Sequence, residues 1–246
     1  MTKAGKSNHQ KRVSSPKTWP IDRKKINSRF VPKMSPGPHT KGTAMPMMIL
    51  LREVLGKAKS KSEVKKILSN KHVLVDGRTR KDEKFPVGHM DVVSFNGSSE
   101  LYRIQITKSH KLLPHEISEK EASYKICKVI GKRNVRGGST QVSLHDGRNI
   151  LLPSNDKRIS KIKGQHSLKI SIPDQEILEI LPLKEGARAI VMEGRHQGRV
   201  GEIMNIEKRY GARTSEVTFK DEEGDEIFRT ALEYVFVLNK DISILR

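Results

Sequence analysis

The run Ser60-Lys61-Ser62-Glu63-Val64-Lys65-Lys66-Ile67-Leu68-Ser69-Asn70-Lys71-His72-Val73-Leu74-Val75-Asp76-Gly77 decides how the rest of the chain is read. Ser60 and Glu63 have capping-box spacing, so a helix should begin there. Val64, Ile67 and Leu68 recur on one helical face, with Lys61, Lys65 and Lys66 off it. Val73-Leu74-Val75 then reads as a short strand entering an Asp-Gly turn. Upstream, Pro46 suits a first helical turn, and Met47, Met48, Leu50, Leu51, Val54 and Leu55 form an apolar face that stops at Gly56. Downstream, Phe85-Pro86-Val87-Gly88 reads as a second turn and Asp91–Phe95 as a closing strand. Residues 42–97 therefore predict a small α+β module.

Charge orders the flanks. The 246 residues carry 48 Lys/Arg against 28 Asp/Glu, a formal charge of +20. Residues 1–41 hold +10, residues 42–173 hold +14, and residues 174–246 hold −4. A chain with such an excess calls for a polyanionic partner, and nucleic acid leads. Hydrophobic residues are 35% and aromatics 4%, which suits several small cores better than one large one. One cysteine, Cys127, permits no internal disulfide and no multi-cysteine zinc site. No run of 18 apolar residues is present, and no apolar segment follows the first lysines, so neither a membrane span nor a secretory leader is expected.

Residues 1–41 hold five prolines and few apolar side chains, so an extended basic arm is expected, disordered when free. Its candidate phosphate contacts are Lys11, Arg12, Lys17, Arg23, Lys24 and Lys25. Trp19 is placed either on a base or in a hydrophobic slot. Residues 98–173 alternate in short stretches (Tyr102–Ile106, Lys125–Val129, Gln141–His145, Ser167–Ile172) between Gly-Gly, Asp-Gly and Pro-Ser-Asn turns, which predicts an all-β middle domain. Lys132, Arg133, Arg136 and Arg148 stand in or beside those turns. Cys127 sits inside a strand and reads as core filler.

In residues 174–246 the sharpest signal is Ala189–Ile203, with glycines at Gly194, Gly198 and Gly201. A strand should enter, a glycine turn should expose Arg195, His196 and Arg199, and a strand should leave through Val200 and Ile203. Glycine serves where φ is positive or where another chain comes close. No Gly-Lys-Ser/Thr follows, so the turn is not a Walker loop. Ser215–Lys220 and Glu226–Ala231 supply further strands around an acidic hairpin.

The module at 42–97 resembles the S-four-type RNA-binding domain, on the helix Ser62–Asn70, Lys71–Gly77 in the pattern basic, V-x-V-D-G, and Val87-Gly88. That resemblance implies RNA contacts from Lys57, Lys59, Lys61, Lys65, Lys66, Lys71, Arg78, Arg80 and Lys81. The glycine turn resembles the KOW motif and implies a C-terminal SH3-like β-barrel. The order of modules resembles the S-four-e family of small-subunit ribosomal proteins from archaea and eukaryotes, the archaeal form more than the eukaryotic. It does so together with His9–Arg12, Pro16–Trp19, Ser35–His39, Lys84–Gly88, Lys125–Val129 and Leu144–Asn149.

The resemblance implies a structural rRNA-binding protein of the body of the small subunit, near the 5′ domain. Its partners would be small-subunit rRNA and neighbouring ribosomal proteins, and its place the cytoplasmic ribosome. It implies no catalysis, cofactor, metal, small-molecule substrate or homo-oligomer. Two other readings compete. An RNA-modifying enzyme needs a catalytic constellation, yet the nine histidines are scattered and the adjacent pair His145-Asp146 reads better as part of an Asp-Gly turn. A KOW-containing transcription or elongation factor accounts for residues 184–235 and leaves the arm and the middle domain without a role.

Overall fold

The protein, represented by a computed structural model, is described at residues 9–24, 28–209, 214–222, 224, 226–239 and 242–244. It is mostly β, with three five-stranded antiparallel sheets and four short α-helices among the described residues.

The first sheet grows from the quoted run. Ser60 caps α2 (Lys61–Ser69) by accepting from Glu63 N at 3.2 Å, and Val64 and Leu68 are its buried face. β4 (Val73–Val75) turns at Asp76-Gly77, both with positive φ, into β5 (Arg78–Thr79). β7 (Val92–Phe95) pairs with β4. α1 (Met47–Ile49) runs on into a π-helical turn, Leu50–Val54, which ends at Gly56 with φ +64°. Against expectation, Phe85–Gly88 is not simply a turn. β6 (Pro86–Gly88) pairs with β3 (Ala44–Pro46), because a two-stranded ribbon satisfies backbone groups that the turn reading left open.

The boundary expected at residue 98 is also corrected. β8 (Leu101–Ile106) and β9 (Leu112–Glu116) extend the first sheet, giving the order β5-β4-β7-β8-β9. The two added strands bury Ile104, Ile106 and Leu112 in the same core as Val64 and Leu68. The middle sheet instead starts after α3 (Glu119–Ala122). It comprises β10 (Tyr124–Asn134), β11 (Thr140–Leu144), β12 (Asn149–Leu152), β13 (Ser167–Ser171) and β14 (Ile177–Leu181), with α4 (Arg158–Lys161) beside it. β14 pairs with β13, so this unit runs past the expected limit of residue 173 to Leu181. Its core is Cys127, Val129, Val142, Leu144, Leu152, Ile162, Leu168 and Ile170.

The third sheet has the order β18-β17-β16-β15-β19, built from β15 (Arg188–Val191), β16 (Val200–Glu207), β17 (Glu216–Asp221), β18 (Ile227–Ala231) and β19 (Val235–Val237). Phe219 stacks on Phe228, with ring centroids 5.3 Å apart, in a core with Val191, Ile203 and Val217.

The arm is the largest departure from expectation. Its described residues are folded onto the first module. β1 (Gln10–Lys11) pairs with β2 (Phe30–Val31). Trp19, 1% exposed, lies in the main core and donates its indole N–H to the Ala44 carbonyl at 2.7 Å. Arg12, 3% exposed, makes two hydrogen bonds to Glu53, at 3.1 and 2.8 Å. Apolar residues are few here, but one indole alone buries about 150–250 Å². A bidentate ion pair then fixes the strand beside it.

Candidate nucleic-acid interface

Acidic side chains in the two basic modules are scarce, and the fold draws several of them inward. Lys125, on β10, is 1% exposed and its ammonium lies 2.9 Å from Asp76, 2.5 Å from Asp91 and 3.1 Å from Asp146. Arg148 closes the cluster, hydrogen-bonding Asp76 and lying 3.1 Å from Asp146. His39, from the arm, donates its Nε2–H toward both Asp91 oxygens at 3.0 Å. Gly88 N–H donates to Asp91 and Val92 N–H to Asp76. The cluster therefore joins the arm, the first module and the middle sheet.

Its electrostatics follow from burial opposed by pairing. Burial works against the Lys125 charge, but Asp76 and Asp91 hold its pKa well above the usual lysine range. Burial also works against the Asp91 carboxylate, yet beside His39 and Lys125 it stays well below the usual carboxylate range. Asp146 is held down to about 2, Lys125 outweighing its desolvation. Cys127 donates weakly to Asp146 at 3.4 Å, and burial pushes its thiol well up, so it is an unreactive core residue.

This arrangement sorts the predicted contacts. Arg12 is internal, which corrects its placement on RNA, and Trp19 takes the hydrophobic slot rather than a base. Arg148 is half-buried and serves the cluster, since two carboxylates hold it. Exposed are Lys11, Lys17 and Lys24 of the arm; Lys57, Lys59, Lys61, Lys65, Lys66, Lys71, Arg78 and Lys81 of the first module; and Lys132, Arg133 and Arg136 of the middle sheet. Lys25 lies outside the described residues. Some exposed cations have partners: Lys57 with Glu100 at 2.6 Å, Lys61 with Glu83 at 3.1 Å, and Lys132 on the Ile159 carbonyl at 2.9 Å.

Two concave surfaces gather the cations. One, of about 410 Å³, is lined by Lys17, Arg23, Lys24 and Lys111 around Asp22. Lys111 was missed by the sequence reading, because only the β8–β9 hairpin brings it to the arm. The second, of about 310 Å³, brings Arg78 and Arg80 to Arg148 over the buried cluster. There Arg80 lies 4.4 Å from the Phe85 ring centre. Burial, with Arg78 and Arg148 nearby, lowers its pKa. Lys125 and its three carboxylates were also missed. The signal was a lysine on a strand whose neighbours Ile126 and Cys127 are both core residues, with two Asp-Gly turns to meet it.

The glycine turn is used for packing as much as for exposure. A Cβ on Gly198 would stand 2.1 Å from the Thr107 carbonyl oxygen, so the turn is pressed against the β8–β9 hairpin of the first module. Gly201 likewise lies against the Lys220 carbonyl across the sheet, and Gly194 turns the chain with φ +90°. Arg195 is exposed. His196 lies on Phe228, with ring centroids 5.0 Å apart, and Arg199 pairs with Glu226 at 3.0 Å.

Known proteins show the same succession. The RS4NT (NUC023) domain matches residues 4–42, the S4 domain residues 49–93, and the Ribosomal family S4e residues 98–177. The small ribosomal subunit protein eS4 of Desulfurococcus amylolyticus is 41% identical over all of this chain and 98% of its own length. The chain belongs to the ribosomal S4e family. Its similarity to the eS4 protein of Methanothermobacter thermautotrophicus is 40% identity over 96% of this chain and 94% of that protein. The crystal structure of the 30S ribosomal protein S4e from Thermoplasma acidophilum aligns with a TM-score of 0.67 and 32% identity, covering 81% of this chain and 96% of that one. In this S4e chain the S4 match spans α1 through β7, while the sheet it belongs to continues through β9.

Proposed function

We propose that this chain is a structural constituent of the small ribosomal subunit, binding and stabilising folded rRNA in the body near the 5′ domain and supporting subunit assembly. The observation that carries this reading is the sorting of charge by the fold. Asp76, Asp91 and Asp146 are turned inward onto one lysine, while Lys65, Lys66, Lys71, Arg78 and Lys81 remain at the surface. Exposed cations without internal carboxylates can release counterions from phosphates, which gives salt-sensitive affinity with little sequence preference.

The RNA-facing set in this reading is Lys17, Arg23 and Lys24 from the arm groove and the exposed Lys11 nearby in the arm, with the exposed S4 cations from Lys57 to Lys81 and Arg80. Lys132, Arg133 and Arg136 extend it onto the middle sheet, and Arg195 onto the glycine turn. The C-terminal sheet is read as an SH3-like barrel with a KOW-type turn. Five antiparallel strands, the 3₁₀ turn Leu232–Tyr234 before β19 and the three packed glycines support that. The role is architectural, with no catalytic step. In it one copy acts beside neighbouring ribosomal proteins in the cytoplasmic ribosome, without cofactor or small-molecule substrate.

The test is retention on 30S particles through a high-salt wash. A core component stays in stoichiometric amount. A loosely bound factor washes off, and that outcome would remove the reading.

A further inference from the structure

One ring is left in water. Phe30, on β2, is 47% exposed, while every other Phe, Tyr and Trp among the described residues is buried or half-buried. The remaining exposed large apolar side chains are aliphatic. Trp19, the arm's other aromatic, is inside the main core.

The β1–β2 ribbon sets this orientation. Gln10 pairs with Val31 and Lys11 with Phe30. Directly paired residues lie on the same side of a ribbon, and successive residues on opposite sides. Gln10 and Val31 are buried, so Lys11 and Phe30 stand together on the outer face. A register shifted by one residue would bury the ring and expose the valine. The ribbon instead buries the smaller side chain and presents the larger one. It also holds that ring in place. Arg12, buried on Glu53, donates its backbone N–H to the Arg29 carbonyl at 3.0 Å and its Nε–H to the Ser28 carbonyl at 3.1 Å. The Ser28 hydroxyl donates to the Phe30 carbonyl at 2.8 Å.

The surroundings of the ring are cationic. The Arg29 guanidinium carbon lies 5.7 Å from the ring centre, within cation–π range. The His9 ring meets it nearly at right angles, with centroids 5.1 Å apart. Lys11 and Arg29 are both exposed, and among the described residues neither is paired with a carboxylate. The one acid in residues 1–41 is Asp22, and Glu53 beside the ribbon is engaged by Arg12 and Arg52. An open aromatic face bordered by free cations matches what single-stranded nucleic acid requires, bases stacking on the ring and phosphates running over the charges. A protein pocket closing over Phe30 would have to desolvate both cations with it.

We propose that Phe30 is a stacking platform for one unpaired base of the bound RNA, with Lys11 and Arg29 on the phosphates beside it. This rests on the RNA-binding reading above and deepens it, by adding to the phosphate contacts a place where the arm holds a base. Because every base has a π-face, the contact selects an unstacked nucleotide rather than a sequence.

The experiment titrates the full chain with transcribed small-subunit rRNA. Phe30→Ala and Phe30→Leu should each weaken binding about tenfold, with the slope of log affinity against log salt unchanged because both cations remain. Phe30→Leu keeps the apolar bulk of the strand and removes only the ring, so it decides the matter even where Phe30→Ala loosens the ribbon. Phe30→Trp should bind as the wild type does, and its added indole emission should be quenched on saturation with RNA, against a wild-type background that comes from Trp19 alone. Wild-type affinity in Phe30→Leu overturns the proposal, as does unquenched emission in Phe30→Trp. So does a cross-link from a photoreactive side chain at position 30, in assembled 30S particles, that reaches a protein in place of rRNA. If the wild-type chain fails to bind the rRNA at all, the RNA-binding reading itself falls, which is a different result.

Discussion

Lys125 and Lys65 are the same residue with opposite uses. Lys125 is 1% exposed and spends its charge on three carboxylates from two sheets. Lys65 stands exposed on α2. Arg12 and Lys11 repeat the contrast within the arm, one locked on Glu53 and its neighbour in water. Net charge alone does not distinguish them. A basic chain spends part of its positive charge on its own architecture, and only the remainder faces a partner.

The sharpest way to break that distinction is Lys125→Met. It leaves Asp76, Asp91 and Asp146 buried without their common counter-ion. Removing one partner of a buried ion pair costs about 3–5 kcal/mol, and three buried carboxylates left to Arg148 and His39 alone put this case within that range. Urea unfolding monitored by far-UV circular dichroism should show the loss, and an unchanged midpoint would mean that the cluster is not structural. Next is Trp19→Ala, expected to cost about 3–4 kcal/mol by cavity formation. Limited proteolysis should then cut within residues 9–24, whereas the wild type resists.

Acid gives a smaller effect with a defined direction. Asp146 has its pKa lowered from 3.8 to about 2 in the folded chain. Its contribution is therefore fully present above about pH 4 and is lost as pH falls toward 2. The loss is about 2 kcal/mol. Urea midpoints at pH 7, 4 and 2.5 should fall chiefly in the last interval, and Asp146→Asn should flatten that fall.

The smallest effect on stability belongs to the exposed side. Lys65→Gln and Lys66→Gln should each change folding stability by no more than about 0.5 kcal/mol. Each should nonetheless lower the slope of log affinity for rRNA against log salt by roughly 0.7–0.9. Arg12→Gln should do the reverse, costing stability and leaving the slope alone. If Arg12→Gln lowered the slope as Lys65→Gln does, the division between structural and RNA-facing cations would fail.

Much of this was legible in the residue order. Ser60 and Glu63 placed the start of α2, Asp76-Gly77 placed the hairpin, and the Gly194, Gly198 and Gly201 spacing placed the turn between β15 and β16. Periodicity and turn chemistry are local, so local residues reveal them. Which sheet β8 joins is not local: Tyr102–Ile106 alternates equally well in either neighbouring unit. Nor is the fate of a charge, since Lys125 becomes structural only when Asp91 and Asp146 are folded around it. The choice between the two placements of Trp19 was not local either. A single aromatic in a proline-rich basic stretch suits a base or a slot equally until the slot beside Ala44 exists.

The cluster around Lys125 also limits how this molecule can be divided. His39, Asp91 and Asp146 belong to stretches matched by three separate family descriptions, yet they converge around one ammonium. A piece cut between any two of those stretches would carry an unpaired share of that charge into its own interior. The modules can thus be told apart by sequence without being separable as objects. Any partner that grips one of these three stretches therefore grips the position of the others as well.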